Sequence, residues 1–274
     1  MSNINLVTPS LFGSRNFSIR DEILLFDDST QRVSQSGQLQ LVHSSYFAKD
    51  GDASAAYFNS PNGRAGVTRL TATTTASGGH SAAAGYGYFS STLPIILDSN
   101  CDYFYQINLR VDSFVGGTGT QRYLFFGLTN GLVISTAYAD AIGWRMDQIS
   151  AIGAGGFRAS PTCMTDSVST RLEPGNSIAI DPSDSATLFR SFLMKISHNS
   201  GNWVVSFFKL WDQSNATGQA GDWLNCGSID TNIPTIGLQL NVQDLTTTSG
   251  VGTEVNDVVL IDYISLRIKR KTKR

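Results

Sequence analysis

From Tyr103 to Val111, hydrophobic and polar residues alternate. Tyr103, Tyr105, Ile107, Leu109 and Val111 share one face, and Gln106, Asn108, Arg110 and Asp112 share the other, with Phe104 the exception. Successive side chains of a strand point to opposite faces, so this spacing predicts a half-buried strand with one solvated side. Gly116, Gly117 and Gly119 then mark a turn, and the mostly apolar run Arg122–Thr129 reads as the return strand of a long-looped hairpin. Leu188–Ser197 alternates again, with Phe192, Met194 and Ile196 in phase. Beyond the turn residues His198 to Asn202, the run Trp203–Trp211 places Trp203, Val205, Phe207 and Trp211 in phase, which predicts a second hairpin.

Further strands are read over Glu22–Phe26, Gln38–His43, Val67–Thr73, Ala82–Phe89, Pro94–Leu97, Ile142–Met146, Thr235–Asn241 and Val258–Ile268. Asn130–Ala141, with four alanine or threonine positions close together, reads as one short helix. Ala151–Arg171, rich in Gly, Ser, Thr and Pro, reads as an exposed loop, and Gln213–Gln219 as a loop tip. On the last strand Val258, Leu260, Ile264, Leu266 and Ile268 share a face, and Asp262 is in phase with them. A carboxylate there needs hydrogen-bond donors or a cation, so Asp262 reads as structural. About a dozen short strands without helical crossovers predict an all-β antiparallel sandwich or jelly roll. The organisation expected is an N-terminal arm (1–20), one sandwich domain (21–268) and a basic tail (269–274).

Composition agrees. Only three of the 22 acidic residues are Glu (Glu22, Glu173, Glu254), and half of the lysines lie at Lys269, Lys271 and Lys273, which leaves little material for exposed helix faces. The net charge of −2 conceals a dipole. Residues 267–274 hold Arg267, Lys269, Arg270, Lys271, Lys273 and Arg274 and no acid, so the rest of the chain carries −8. These six residues are the candidates for attachment to an acidic partner. No apolar run reaches the length of a membrane helix. Met1–Gly13 has neither a basic nor an apolar segment of a cleaved secretion signal. Cys101, Cys163 and Cys226 are too scattered for a disulfide framework or a zinc site and read as free thiols.

Four stretches in order carry a resemblance: Gly66–Ala72 with the Ala/Gly-rich strand after it, Tyr103–Val111, Phe126–Asn130 with Ile142–Arg145, and Leu260–Arg267. Across roughly Phe26 to Ile268 the succession resembles concanavalin A-like (jelly-roll, laminin-G-like) domains of tailed-phage virion proteins. The resemblance implies a non-enzymatic structural component, foremost a capsid decoration or head-fibre protein. It would assemble in the host cytoplasm as a homo-oligomer, with a trimer favoured, on the major capsid protein or another virion protein. The alternative it implies is a tail-fibre or receptor-binding lectin module.

No reaction is legible. Glycosidases on this fold use paired carboxylates in a Glu-x-Asp-x-x-Glu pattern, and no segment here matches it. Asp181 and Asp184 have odd spacing, and Asp27 and Asp28 point to opposite faces of an extended chain. His43, His80 and His198 stand alone, no Gly-x-Ser-x-Gly elbow occurs, and the glycines at 116–119 and 153–156 lack the Lys-Ser/Thr of a phosphate loop. No cofactor is expected. A structural calcium held by loop aspartates such as Asp27, Asp28 and Asp257 is the one metal the composition suggests. For glycans, Trp211 and Trp223, which bracket the polar loop from Asp212 to Asp222, are the candidate platforms among four tryptophans. The acidic body argues against nucleic acid as a partner.

Overall fold

A computed structural model of the chain describes residues 22–27, 45–50, 54–58, 67–74, 81–88, 95–113, 120–130, 140–147, 157–172, 178–180, 189–210, 223–248 and 255–271. Within them every regular element is a strand. In chain order these are β1 (Glu22–Asp27), β2 (Ser45–Asp50), β3 (Ser54–Phe58), β4 (Val67–Thr74), β5 (Ser81–Tyr88), β6 (Cys101–Ser113), β7 (Thr120–Thr129) and β8 (Ala141–Asp147). There follow β9 (Phe157–Thr165), β10 (Val168–Arg171), β11 (Ile178–Ile180), β12 (Arg190–Asn199), β13 (Asn202–Leu210), β14 (Trp223–Ile229), β15 (Gln239–Thr248) and β16 (Val255–Arg270). They form two eight-stranded antiparallel sheets. Sheet A runs β14-β13-β12-β6-β16-β4-β3 with β1 also on β16, and sheet B runs β10-β9-β8-β7-β15-β5-β2 with β11 also on β9. The chain is an antiparallel jelly-roll β-sandwich. The arm (1–20), residues 131–139 of the helix read over Asn130–Ala141, and the strand Gln38–His43 lie outside the described residues, and Ala141 opens β8.

The core is where the two inner faces interdigitate. All five in-phase residues of β6, from Tyr103 to Val111, are buried, as are Phe192, Met194 and Ile196 of β12. Trp144 of sheet B stands edge-on to Phe192 and Phe207 of sheet A, with ring centroids 5.2 and 5.4 Å apart, and lies beside Phe126. Edge-to-face rings at this spacing add to the area they bury. The hairpin of β12 and β13 forms as expected, with Asn199 opposite Asn202 and positive φ at both Ser200 and Gly201. That is the two-residue turn whose twist matches the strands.

Three expectations are corrected. First, β6 and β7 are not a hairpin: β6 pairs with β12 and β16 in sheet A, β7 with β8 and β15 in sheet B, so their connection crosses between sheets. Second, of the run read as loop over Ala151–Arg171, residues 157–165 and 168–171 are strand. β9 lies between β8 and β10 and is buried on both faces, with the small residues Ala159 and Cys163 on the core side and Ser160 and Thr162 on the other. Pro161 fits because its carbonyl accepts from the Leu172 amide, on the side where β10 has ended and β11 has not begun. No ladder donor is needed there. Third, the face read along the last strand changes at Asp262. The register steps from Ile261 opposite Leu109 to Tyr263 opposite Asn108, which makes Asp262 the extra residue of a β-bulge. Before it Val259 and Ile261 enter the core, and after it Ile264 and Leu266 do. Val258 and Leu260 instead pack on the outer side with Val67 and Phe189. Pro94–Leu97 contributes only one bridge, Ile95 with Leu238.

Two predictions follow from this packing. Gly127 and Gly143 face each other across β7 and β8, and a Cβ on Gly143 would sit 2.4 Å from the Phe126 carbonyl oxygen and 2.9 Å from Gly127 Cα. Gly143→Ala is expected to cost about 1–3 kcal/mol in denaturant titration, the usual penalty of overpacking. Burial pushes the Cys226 thiol from 9.0 up to about 11, partly offset by the Lys209 backbone and charge. A group raised on folding stabilises fully below its unfolded value and loses that contribution as pH climbs through the folded one. Stability should therefore fall between pH 9 and 11, and Cys226→Ala should reduce that fall in midpoints measured at pH 8 and 10.5.

Candidate functional site

The outer face of sheet A brings together most of the chemistry singled out in the sequence. Register fixes four rows across it. Lys269, on β16, lies opposite Asp102 of β6; Arg267 lies opposite Phe104, Ser265 opposite Gln106, and Tyr263 opposite Asn108. On the other side of β6, Phe104 faces Lys195, Gln106 faces Leu193, and Asn108 faces Ser191 of β12. The rows continue through Ser206 and Phe208 of β13 to Ser228 and Asn225 of β14, and Trp223 lies opposite Leu210.

Polar side chains on this face are stitched together. Gln106 donates to the Tyr263 hydroxyl, Asn108 Nδ2 donates to Ser191 Oγ at 2.9 Å, and the hydroxyls of Ser206 and Ser228 are 2.9 Å apart. Phe104 carries two cations, with Lys195 Nζ 5.7 Å and Arg267 Cζ 5.6 Å from its ring centroid. Contacts of this kind fix the cation while leaving its charge in place. Leu193, Phe208 and Leu210 are half-buried, and Trp223 keeps 37% of its surface exposed. An outward sheet face usually reads polar, so this apolar strip beside a basic one makes the face the candidate site.

The predicted attachment residues divide. Arg267 and Lys269 are exposed on this face, whereas Arg270 is half-buried in the alternate phase. The strand thus continues two residues into the segment read as tail. Lys271 is held to the body: its amide donates to the Asn100 carbonyl, its Nζ donates to the carbonyls of Ser99 and His198, and Asp102 Oδ1 is 3.7 Å away. Lys273, Arg274 and Trp211 lie outside the described residues. Of the other tryptophans, Trp144 is core and Trp203 packs half-buried against the His198 ring.

Sequence reasoning missed Phe104 as a centre and missed Lys195 and Phe208 altogether. The break in alternation at Phe104 was the available signal. The aspartates named for calcium do not converge. Asp27 sits opposite Ile264, and Asp257 is seven residues earlier on β16, roughly 20 Å along the strand. Asp28 lies outside the described residues. Among the described residues no group of three His, Cys, Asp or Glu could hold a metal. The three thiols are free.

No protein-family model matches the chain, and no curated protein does. Solved structures similar to it are lectin-like sandwiches. The CBM2 module of the evolved Dit of Lactobacillus casei BL23 phage J-1 is 9% identical over 81% of this chain and 82% of its own, with a TM-score of 0.43. Peanut lectin is 12% identical over 92% and 99%, TM-score 0.45. An endo-1,3-beta-glucanase from Streptomyces sioyaensis is 10% identical over 91% and 97%, TM-score 0.44. Likenesses at this level transfer neither a site nor an activity.

The bulge generates a prediction of its own. Without the extra residue, Arg267 and Lys269 would point into the core and Ile264 and Leu266 to solvent. Deleting Asp262 is expected to abolish the cooperative thermal transition and the near-ultraviolet circular dichroism, whereas Asp262→Ser, which keeps the residue count, is expected to retain both.

Proposed function

We propose that the protein is a non-enzymatic, lectin-like surface module of a tailed-phage virion, and that it binds carbohydrate on the outer face of sheet A. The observation that carries this reading is the juxtaposition on one rigid face of Phe208, Leu193, Leu210 and Trp223 with the amides of Gln106, Asn108 and Asn225. Apolar side chains cover the C–H faces of sugar rings, and amides and hydroxyls meet their hydroxyl groups. Most of these residues sit on β6, β12 and β13, which are anchored by the buried core beneath, and Trp223 and Asn225 sit on the edge strand β14 paired to β13, so the face is preorganised and little ordering entropy opposes binding. The virion setting and the homotrimer rest on the sequence resemblance.

Capsid decoration is the second reading, favoured by the charge asymmetry. A basic strand end on a body of net charge −8 is suited to an acidic shell. Copy number separates the two. A handful of copies per virion, by quantitative mass spectrometry against the major coat protein, is the result expected for receptor binding, and hundreds would make decoration the role. For the binding face itself, Phe208→Ser and Trp223→Ala are each expected to weaken glycan binding about tenfold at unchanged thermal midpoint. Binding untouched by both would remove the face from consideration.

A further inference from the structure

We infer that the N-terminal segment, residues 1–20, docks on the end of its own sandwich at which β6 begins and β16 finishes, with apolar side chains on Ile96 and Ile236 and arginines among aspartates. This surface is separate from the glycan-binding face proposed above. Among the described residues three of the exposed large hydrophobic side chains, Ile96, Val168 and Ile236, belong to this end, with Ile96 62% and Ile236 66% exposed. Exposed hydrophobics scattered singly are ordinary, but these two isoleucines adjoin. Ile95 and Leu238 exchange backbone hydrogen bonds of 2.7 and 3.1 Å, and the Leu97 amide donates to the Thr235 carbonyl at 2.8 Å, so Ile96 and Ile236 sit on neighbouring antiparallel stretches. The backbone beneath them is fixed. The Tyr103 hydroxyl accepts from the Asp98 amide at 2.6 Å and donates to the Ile96 carbonyl at 3.1 Å. Asn232 Nδ2 donates to Thr170 Oγ1 at 2.9 Å, which ties the loop before Ile236 to β10, the strand that carries Val168. A rigid apolar patch rimmed by polar groups is a candidate docking surface.

Charge selects the occupant. Gln239, Thr129, Ala141 and Met164 form one row across sheet B, which puts Asp140 and Asp166 at this end, and Thr231, beside Thr170, brings Asp230 there too. The described turns and strand ends here carry Glu22, Asp98, Asp102, Asp140, Asp166 and Asp230 against Lys269, Arg270 and Lys271, six acids to three cations. Those cations have acids of their own: Lys269 stands in register between Glu22 and Asp102, and Lys271 Nζ is 3.7 Å from Asp102 Oδ1. Lys195 and Arg267 lie further in, opposite Phe104 on the outer face of sheet A. Asp98 takes its hydrogen bonds from the amide and side chain of Asn100, and Asp140 from the Asp166 amide and the Asn130 side chain. All of these donors are neutral, so the carboxylate charges stay in place. A second copy of the same end would bring like charge against like. A partner that combines apolar side chains with positive charge is the one that fits.

Residues 1–20 answer that description. They hold Arg15 and Arg20 and no acid, with Leu11, Phe12, Phe17 and Ile19 among their apolar residues. They also adjoin the right place. β1 starts at Glu22 opposite Lys269, in the same row as Asp102 at the start of β6, two ladder steps or about 10 Å away. An extended chain lets Phe12 reach up to about 35 Å from Glu22, enough to meet Ile96 and Ile236. Other stretches outside the described residues differ in chemistry: 131–139 has no charged residue, 28–44 balances Arg32 with Asp28, and 272–274 has Lys273 and Arg274 but no apolar side chain. A segment joined to the body acts at an effective concentration of about a millimolar, so a contact too weak to join two copies still holds it.

The test is photocrosslinking of the full chain with benzoylphenylalanine in place of Phe12, on a mixture of isotopically light and heavy copies, with crosslinked peptides mapped by mass spectrometry. The expected result is crosslinks within one copy to residues 95–98 and 230–237. Because the join at Glu22 alone keeps the segment near this end, the yield must also depend on the contact. Ile236→Asp, and separately Arg15→Glu together with Arg20→Glu, are each expected to lower it about tenfold, and added salt should lower it in the chain without them. The arginine variants leave the body untouched and cover the case in which Ile236→Asp fails to fold. Crosslinks between light and heavy copies would overturn the inference in favour of a segment exchanged between copies. Crosslinks confined to surfaces away from this end, yields that neither set of variants changes, or no crosslink at all would also overturn it.

Discussion

Strand β16 pairs with β6 from Val258 to Arg270, and every other strand of sheet A is reached through one of these two. Of the two register shifts along that ladder, the one at Asp262 sets which side chains of the C-terminal half of β16 face the core. Upstream of it β4 occupies the far edge of β16, and downstream β1 does, from Asp27 opposite Ile264 to Glu22 opposite Lys269. The bulge turns Ile264 and Leu266 inward and Arg267 and Lys269 outward. A strand's period of two allows no intermediate arrangement: the same residue that completes the hydrophobic core creates the cationic face. Structure and proposed function thus share a single constraint.

The two faces of sheet A divide the work. Inward, Tyr103, Tyr105, Ile107, Phe192, Met194 and Phe207 meet Trp144 and Phe126 of the opposite sheet and bury their area completely. Outward, Phe104, Leu193 and Phe208 stay half-exposed among amides and hydroxyls. Burial of the inner residues fixes the backbone, and the fixed backbone holds the outer side chains in register. Recognition on such a face costs little reorganisation, which is the advantage of a central sheet over a loop as a binding platform.

Local pattern revealed the elements whose stabilisation is local. The alternation of β6 and β12, and the turn at Ser200 and Gly201, were readable because a half-buried strand and a two-residue turn each leave a mark within a few residues. β9 was hidden because a strand buried on both faces can be built from Ala, Ser, Thr and Cys, the residues of a loop. Its turn to β10, with positive φ at Asp166 and Ser167, lacks the glycine that signals such turns. The phase change at Asp262 leaves no local mark, since only the partner strand shows that a residue is extra. The site was legible in pieces. Arg267, Lys269 and Trp223 stood out by charge and type, but their place on one face with Phe104 and Lys195 depends on pairing between residues far apart in the chain, such as Arg267 with Phe104 and Lys269 with Asp102.

The measurement that bears most directly on this account is a chemical-shift footprint of an oligosaccharide, selected by glycan-array binding, on the isotopically labelled full chain. The account predicts perturbations concentrated at Phe104, Gln106, Lys195, Phe208 and Arg267, on four neighbouring strands of sheet A. Perturbations confined to sheet B, or to the loops that join the two sheets, would contradict it.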